Sequence, residues 1–230
     1  MAAPRPALSF ASWIVHEEQG LVVVDKPAGV LSQPDSSGAP DLVSLARAHY
    51  GRPGIGVMHR LDRNVSGLVL LALDADTARP LSAAFARGEV ERRYVAVVRG
   101  RPTADALVLD APLVKDARTN EVRVASPGDP RATEARTEVR VRQRFRAPMG
   151  SLAILEVRPV TGRSHQIRVH LAAAGLPIVG DPKYGVRARG VTRPLLHAEA
   201  MRIPRPQGEG WIAVERSAPW SEHDLRALRA

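Results

Sequence analysis

The chain has 230 residues, a length that fits one large domain or two small halves that share a core. It contains no cysteine, which excludes disulfides, cysteine-ligated zinc, iron–sulfur clusters and a thiol nucleophile. Its 33 basic and 24 acidic residues give a net charge of +9, and all but three of the basic residues are arginines, so a polyanionic partner is expected.

Other features of the composition narrow the class of protein. Aromatic residues make up only 4% of the chain, which argues against a module that binds single strands mainly by base stacking. The apolar run at 68–73 is far too short to span a membrane, and the first 12 residues lack the pattern of a secretory signal. A cytoplasmic protein is therefore expected. A coding bias toward arginine would explain the Arg:Lys ratio but not the net positive charge.

The first half of the chain predicts alternating strands and helices. Residues 1–12 are predicted to be a flexible lead-in, and a strand, a turn and a second strand follow over 13–24. Apolar residues at helical spacing predict a helix that begins after Asp41 and stops at Gly51. A strand at 68–73 and a helix at about 76–87 come next.

The second half predicts a β-rich region and a closing helix. Strands are predicted at 94–98, 122–124, 137–141 and 152–157, with a loop tip at 126–130. A helix is expected to open with Ser164 as its N-cap and to end near Gly175. Its core face would carry Ile167, His170, Leu171 and Ala174, with Arg168 beside that face. Strands at about 195–203 and 211–215 precede a terminal helix over 221–230, so one domain is expected over 13–215 with a tail or helix over 216–230.

The first polar segment is His-Arg-Leu-Asp-Arg-Asn-Val-Ser-Gly at 59–67, which places one carboxylate, Asp62, between two arginines before an apolar strand. Loops on rigid scaffolds often carry chemistry. A surface turn with local charge pairing is the alternative interpretation of this segment alone.

The second polar segment is Thr-Gly-Arg-Ser-His-Gln-Ile-Arg-Val-His-Leu at 161–171. Donors at a helix N-terminus attract anions, although a helix with a polar first turn would look the same. His165 and His170 are five residues apart, about 140° around a helix, so they cannot share a metal ion. The sequence also lacks a P-loop and a complete dinucleotide fingerprint, so neither a metal nor a nucleotide cofactor is predicted.

Together, these segments resemble the RluA-type family of RNA pseudouridine synthases. The family patterns H-R-L-D-x-x-T-S-G and G-R-T-H-Q-I-R-x-H are similar to residues 59–67 and 162–170, with Lys-Pro-Ala-Gly at 26–29 before them and Gly-Asp-Pro-Lys-Tyr-Gly at 180–185 after them. The similarity covers about 14–214. Val65 and Ser164 stand where the family usually has Thr, and Arg92 stands where it often has Lys. Because the Lys-Pro-Ala-Gly element arrives by residue 26, no N-terminal S4 domain is expected.

The resemblance implies a fold, a reaction and roles for individual residues. The fold would be α+β, with a mostly antiparallel mixed sheet in two halves and an active-site cleft between them. The reaction would isomerise uridines of ribosomal or transfer RNA to pseudouridine without a cofactor. Asp62 would be the nucleophile, Arg168 would pair with it and Tyr94 would stack on the flipped base. Arg60 would fill the gap left in the RNA. The RNA-binding set would comprise Arg60, His59, Arg163 and His165.

Several questions stay open at the level of sequence. The carboxylate could attack C1′ of the ribose or C6 of uracil, or a glycal could form. The target uridine is not specified, the effect of Val65 is undetermined, and a monomer is expected. A non-catalytic RNA-binding protein on the same scaffold is the main alternative, although the presence of Asp62 counts against it. A glycosidase would need a second carboxylate, and a DNA-binding protein would need a recognition helix.

Overall fold

The computed structural model describes residues 9–230, so the first eight residues of the predicted flexible lead-in lie outside the described part of the chain. The rest of that prediction is wrong, because Phe10–Trp13 form a 3₁₀ turn. The Phe10 ring is buried and lies 6.1 Å from the ring of Tyr50 and 5.4 Å from that of His49. Burial of this aromatic ring anchors the segment that precedes the first strand.

One large sheet organises the described residues. The strands are β1 Ile14–Glu18, β2 Leu21–Lys26, β3 Gly56–Val57, β4 Ser66–Ala72, β5 Glu91–Arg99, β6 Ala106–Asp110, β7 Leu113–Asp116, β8 Glu121–Val124, β9 Arg136–Ala147, β10 Gly150–Pro159, β11 Leu196–Pro204 and β12 Trp211–Glu215. Ten of them form the large sheet, in the order β1-β2-β4-β11-β5-β10-β9-β6, with β3 beside β4 and β12 beside β11. The strands β7 and β8 form a separate hairpin. The helices are α1 Leu42–Tyr50, α2 Ala75–Ala86, α3 Gln166–Ala173 and α4 Glu222–Arg226.

The two halves of the sheet meet where β4 lies beside β11. These two strands pair in parallel through Ser66 with His197 and Gly67 with Ala198, while the other strand pairs are antiparallel. Gly67 has φ +117°, and a Cβ atom there would lie 2.4 Å from the carbonyl oxygen of Ala198. The backbones can therefore approach this closely only because residue 67 is glycine. The architecture confirms the predicted α+β class.

The strand β4 is buried along its whole length. Val69 and Leu71 pack into one apolar cluster, while Leu68 and Leu70 pack into another on the opposite face of the sheet. Successive side chains of a strand point to opposite faces, so a continuous apolar run indicates a strand covered on both sides. The catalytic candidate Asp62 lies in the loop that leads into this rigid central strand.

The predicted ends of a helix are confirmed where a capping group near in sequence fixes them, as in α1. The Asp41 side chain accepts a hydrogen bond from the N–H of Ser44, and Gly51 ends α1 in the left-handed conformation. The predicted helix at 76–87 is α2. The predicted terminal helix is shorter than expected, since α4 ends at Arg226. Leu225 and Leu228 of this C-terminal segment are buried against the sheet, so it packs on the domain that precedes it.

Three strands, β3, β6 and β7, were not predicted, and β3 has only two residues. The strands β6 and β7 are separated by only two residues, Ala111 and Pro112, and β6 alternates between exposed and half-buried positions on the edge of the sheet. Neither a long apolar run nor a glycine turn marks them in the sequence. No helix within residues 9–230 is long and apolar enough to cross a membrane.

Candidate active site

The loop that carries Asp62 is fixed to the end of β2 by a buried lysine. The Lys26 ammonium group donates to the carbonyl oxygens of Val30 at 2.8 Å and Arg63 at 3.2 Å, and the Gly29 N–H donates to the same Arg63 carbonyl at 2.8 Å. Lys26 is fully buried, and this burial lowers its pKa to about 7 although the Asp62 carboxylate opposes the shift. The Lys-Pro-Ala-Gly segment therefore holds the backbone on the carboxyl side of Asp62.

The segment before α3 caps the helix in a way that the sequence did not reveal. The prediction of Ser164 as the N-cap is wrong: α3 begins at Gln166, and its N-cap His165 has φ +53° and makes no side-chain capping bond. Instead, the Gln166 side-chain oxygen accepts from the Arg163 N–H at 3.0 Å and from the Thr161 hydroxyl at 2.7 Å. These bonds hold the segment before α3, which places His165 Nε2 at 3.8 Å from Asp62 Oδ1.

The helix α3 is buried on more than the predicted face. Ile167, His170 and Leu171 are buried as expected, but Arg168 is only 8% exposed and Ala174 is exposed beyond the end of the helix. A short helix surrounded by strands and loops places its charged residue inside the protein. A buried arginine requires partners, and α3 therefore directs Arg168 toward carboxylates.

Arg168 lies between two carboxylates. Its Nη1 donates to Asp62 Oδ2 at 2.7 Å, so the predicted contact between these residues is present. Its Nε and Nη2 donate to Asp181 Oδ2 and Oδ1 at 2.7 and 2.8 Å, a bidentate ion pair. The Asp181 side chain is completely buried, whereas that of Asp62 is 28% exposed. Asp181 therefore fixes the guanidinium, and the guanidinium in turn positions the accessible carboxylate.

These contacts keep the charges in place. Burial alone would raise the pKa of the Asp181 carboxyl, but the Arg168 guanidinium and the backbone N–H groups of Lys183 and Tyr184 lower it below its ordinary value. Burial opposes the charge on Arg168 as well, yet hydrogen bonds to Asp181 and the charge of Asp62 raise its pKa above the ordinary value. The site thus holds a permanently charged arginine beside Asp62.

His165 lies on the other side of the same carboxylate. Its Nε2 is 3.8 Å from Asp62 Oδ1, and its Nδ1 is 2.8 Å from the hydroxyl oxygen of Tyr184. Burial lowers the pKa of His165 below its ordinary value, although the Asp62 carboxylate opposes this shift. The imidazole is therefore neutral at physiological pH.

A recess of about 80 Å³ lies beside Asp62 and is lined by Tyr94, Arg92 and Arg168 among others. Tyr94 is 6% exposed and comes from β5, and burial raises the pKa of its hydroxyl. The Arg92 Nη2 donates to the Thr161 carbonyl at 3.4 Å, and its Nε is buried without a hydrogen-bond partner among residues 9–230. The recess thus combines an aromatic ring, an unpaired donor and a carboxylate.

The recess opens into a groove of about 1580 Å³ with an excess of positive charge. Arg60 is exposed on its rim, and Arg163 is also exposed, with its Nε donating to the Glu134 carbonyl at 2.9 Å. The basic residues along the groove are Arg60, Arg63, Arg87, Arg92, Lys115, Arg158, Arg163, Arg168 and Lys183, and the acidic residues are Asp35, Asp62, Glu91 and Glu138. Nine cations against four anions create a field that attracts a phosphate backbone.

His59 is half-buried and lines the groove, and its role as an RNA contact stays a prediction. Its Nε2 accepts a hydrogen bond from the Leu70 N–H at 3.2 Å, its Nδ1 is buried, and its ring lies 5.6 Å from that of Phe85. Burial, together with the charge of Arg92, lowers the pKa of His59 to about 3. The neutral ring therefore supports the loop, with both of its nitrogens inside the protein.

Comparison with known proteins identifies the family. A family model described as RNA pseudouridylate synthase matches residues 20–173, which include both polar segments around Asp62 and Arg168. The chain belongs to this family.

Relatives and solved structures agree with this assignment over nearly the whole chain. Ribosomal large subunit pseudouridine synthase D of Xanthomonas campestris pv. campestris is 35% identical over 94% of this chain and 67% of its own length. An uncharacterized RNA pseudouridine synthase of Zymomonas mobilis is 34% identical over 94% of this chain and 98% of its own. The structure of human RNA pseudouridylate synthase domain containing 1 is similar with a TM-score of 0.76 and 25% identity, over 91% of this chain and 84% of that one. The chain is therefore an RNA pseudouridine synthase, an isomerase that converts uridine in RNA into pseudouridine.

The predicted site residues of this pseudouridine synthase meet in one cleft, but the prediction omitted two that complete it. Asp181 and Tyr184 belong to the Gly-Asp-Pro-Lys-Tyr-Gly segment, to which no role was assigned. A Cβ atom at Gly185 would lie 2.0 Å from the Ile178 carbonyl oxygen, and one at Gly180 would lie 2.2 Å from that of Arg193. The two glycines that flank an aspartate were the signal for a tightly packed turn, which presents Asp181 to Arg168.

Proposed function

We propose that this pseudouridine synthase modifies uridine in the RNA of the large ribosomal subunit, with Asp62 as the nucleophile. The names of the relatives support the RNA class, since ribosomal large subunit pseudouridine synthases D and C are 35% and 32% identical to this chain. A cytoplasmic enzyme that acts as a monomer is part of this proposal.

The observation that carries the role of Asp62 is its asymmetric environment. Arg168 holds Oδ2 at 2.7 Å, whereas Oδ1 accepts no hydrogen bond from residues 9–230 and faces the groove. An arginine partner keeps a partly buried carboxylate ionised, and one unoccupied oxygen is available to attack an electrophilic carbon. Among residues 9–230, Asp62 is the only acidic residue that lines the recess beside Tyr94.

The reaction conserves every atom of the base. The bond between ribose C1′ and uracil N1 breaks, the uracil turns, and C5 bonds to C1′; the proton on C5 leaves and N1 gains one. Attack by Asp62 at C1′, attack at C6 and a glycal route all satisfy this balance. In each route the aspartate must be charged and the uracil must be held while it turns, which the Arg168 contact and the Tyr94 ring support.

Binding requires the target uridine to leave the RNA stack. Flipping a base costs a few kcal/mol and is needed because the reacting atoms are inaccessible in stacked RNA. We propose that Arg60, exposed beside Asp62, occupies the vacated position, since a guanidinium plane can stack like a base. Arg163 and the other cations of the groove would contact phosphates.

The test maps pseudouridines in cells that lack the gene. Ribosomal and transfer RNA are compared with the parent strain, and the strain is complemented with the wild-type gene or with Asp62→Asn. We expect one or more positions in large-subunit RNA to lose pseudouridine and to regain it with the wild-type gene alone. Loss restricted to transfer RNA would refute the RNA class, and restoration by Asp62→Asn would refute the nucleophile.

A further inference from the structure

His165 has an unusual backbone conformation for a residue with a side chain. Its φ is +53°, and among the other non-glycine residues in the described part of the chain only Gln19 and Asn120 also have a positive φ. A residue in the left-handed region costs free energy and persists where the surrounding structure requires it. Here the conformation turns the imidazole toward Asp62, whose Oδ1 lies 3.8 Å from Nε2.

The hydrogen-bond partners of Tyr184 determine which nitrogen of His165 carries the proton. The Val122 N–H donates to the Tyr184 hydroxyl oxygen at 2.9 Å, and a backbone N–H can only donate. The second partner of that hydroxyl is His165 Nδ1 at 2.8 Å. The hydroxyl proton has no other acceptor among residues 9–230, so it is donated to Nδ1, and the neutral imidazole carries its own proton on Nε2.

The charges around His165 keep the ring in this neutral form. Burial is the main cause that lowers the pKa of His165; the Asp62 carboxylate opposes it, and the cations Arg168, Lys183 and Lys115 add to it. The Arg168 guanidinium also lies 5.0 Å from the centre of the Tyr184 ring, a cation–π contact that helps to hold the tyrosine in place.

We propose that His165 is a positioning residue for Asp62, with its tautomer set by Tyr184. The distance of 3.8 Å is too long for a hydrogen bond, and a movement of less than 1 Å closes it once RNA displaces water from the groove. Arg168 then holds Oδ2, and the His165 N–H occupies one of the two lone-pair sites of Oδ1, which fixes the rotation of the carboxylate and leaves the second site free to attack. A neutral donor does so without adding a second full charge, which would make the carboxylate a poorer nucleophile. This inference rests on the proposed nucleophilic role of Asp62.

Two substitutions separate the donor from the backbone conformation. In His165→Gln the amide nitrogen reaches the position of Nε2 but the left-handed backbone is disfavoured; in His165→Asn the backbone is tolerated but the amide is too short. We expect kcat to fall by about 10²-fold in His165→Asn and by less than about tenfold in His165→Gln, with KM for RNA nearly unchanged in both. The reverse order would show that only the backbone matters and would overturn the proposal.

Nitrogen-15 spectra of the imidazole test the tautomer without any activity measurement. We expect the proton of neutral His165 on Nε2 in the wild-type protein, and a mixture of tautomers in Tyr184→Phe. A proton on Nδ1 in the wild type would refute the proposal. Because the spectra need no substrate, they remain decisive even if the wild-type protein fails to modify ribosomal RNA, an outcome that would refute only the proposed function.

The pH profile of kcat gives a third readout. Removing the hydroxyl that donates to Nδ1 makes protonation of His165 easier, so its pKa rises. The acid limb of the profile should therefore move to higher pH in Tyr184→Phe. An acid limb that stays in place would show that His165 does not control Asp62. Unfolding midpoints of all variants are measured in parallel. If a variant folds poorly, the nitrogen-15 spectrum of the wild-type protein still tests the tautomer.

Discussion

The ion pair between Arg168 and Asp181 should dominate the stability of the active site, even though Asp62 is the residue proposed to react. Replacing Arg168 with Met keeps much of its volume but leaves Asp181 buried without its charged partner. The Asp181 side chain is 0% exposed and that of Arg168 is 9% exposed, so breaking the pair should cost about 3–5 kcal/mol. At about 2–4 °C per kcal/mol for a chain of this size, the unfolding midpoint should fall by about 6–20 °C.

Double-mutant cycles separate the two carboxylates. We expect a coupling energy of about 2–3 kcal/mol between Arg168→Met and Asp181→Asn, because removing either partner leaves the other buried charge unpaired. Asp62 is 28% exposed and water can replace its contact, so its coupling with Arg168 should be about 1 kcal/mol or less.

Chemical denaturation of the wild type, the three single variants Arg168→Met, Asp181→Asn and Asp62→Asn, and the two double variants measures both couplings. Two-state unfolding is checked by comparing fluorescence with far-UV circular dichroism. The exposed pair of Arg226 with Glu222 is a matched control, for which little coupling is expected. A coupling for Asp62 equal to or greater than that for Asp181 would refute the assignment of Asp181 as the anchor.

Four further outcomes are expected. Asp62→Asn should abolish pseudouridine formation while leaving RNA affinity and unfolding nearly unchanged, and turnover at even a tenth of the wild-type rate in a tritium-release assay would contradict its role. Tyr94→Phe should bind RNA as the wild type does, whereas Tyr94→Ala should bind less well. Equal RNA affinities of Tyr94→Ala and the wild type in a filter-binding titration would refute the stacking proposal. Arg60→Ala should slow base flipping, measured with a fluorescent analogue at the target uridine, with a change of about one unit or less in the salt slope of binding; a normal flipping signal would reduce Arg60 to a phosphate contact. The pKa of Asp181 is lowered in the folded protein, so its stabilising effect is complete above the unfolded pKa of about 3.9 and is lost as pH falls through the folded pKa. Asp181→Asn should therefore flatten the acid end of a curve of unfolding free energy against pH. An unchanged slope would contradict the buried pair.

The parts of the fold that the sequence predicts are those decided locally. The run at 68–73 is apolar without interruption and forms β4, and the Asp41 cap and Gly51 stop define α1 from their own chemistry. The edge strand β6 was missed because its alternating pattern is short and half exposed. Its place depends on pairing with β9, a contact that no local pattern encodes.

The same distinction applies to the site. The contact between Arg168 and Asp62, two residues 106 positions apart, was implied by the family resemblance, and the structure contains it. Asp181 was missed because its role depends on a turn that is folded by tertiary contacts, in which Gly185 packs on Ile178. The helix cap was misplaced because Ser164 is a good cap by residue type, whereas α3 begins one residue later, after His165 in the left-handed conformation. The inward direction of both His59 nitrogens depends on packing that its residue type does not show.

The narrow seam between β4 and β11 has a consequence for how this enzyme could acquire a new RNA target. The loop that carries Asp62 is continuous with β4, and the opposite wall of the cleft is continuous with β11. The distance between the two halves is therefore set by the backbones of β4 and β11, which are in contact at Gly67. Any side chain there would separate the strands and move the nucleophile away from its arginine. Laboratory selection for altered RNA preference should therefore leave position 67 untouched and accumulate changes in the exposed rim, in the loop at 32–40 and around Lys183, where chain length and charge can vary without widening the chemical centre.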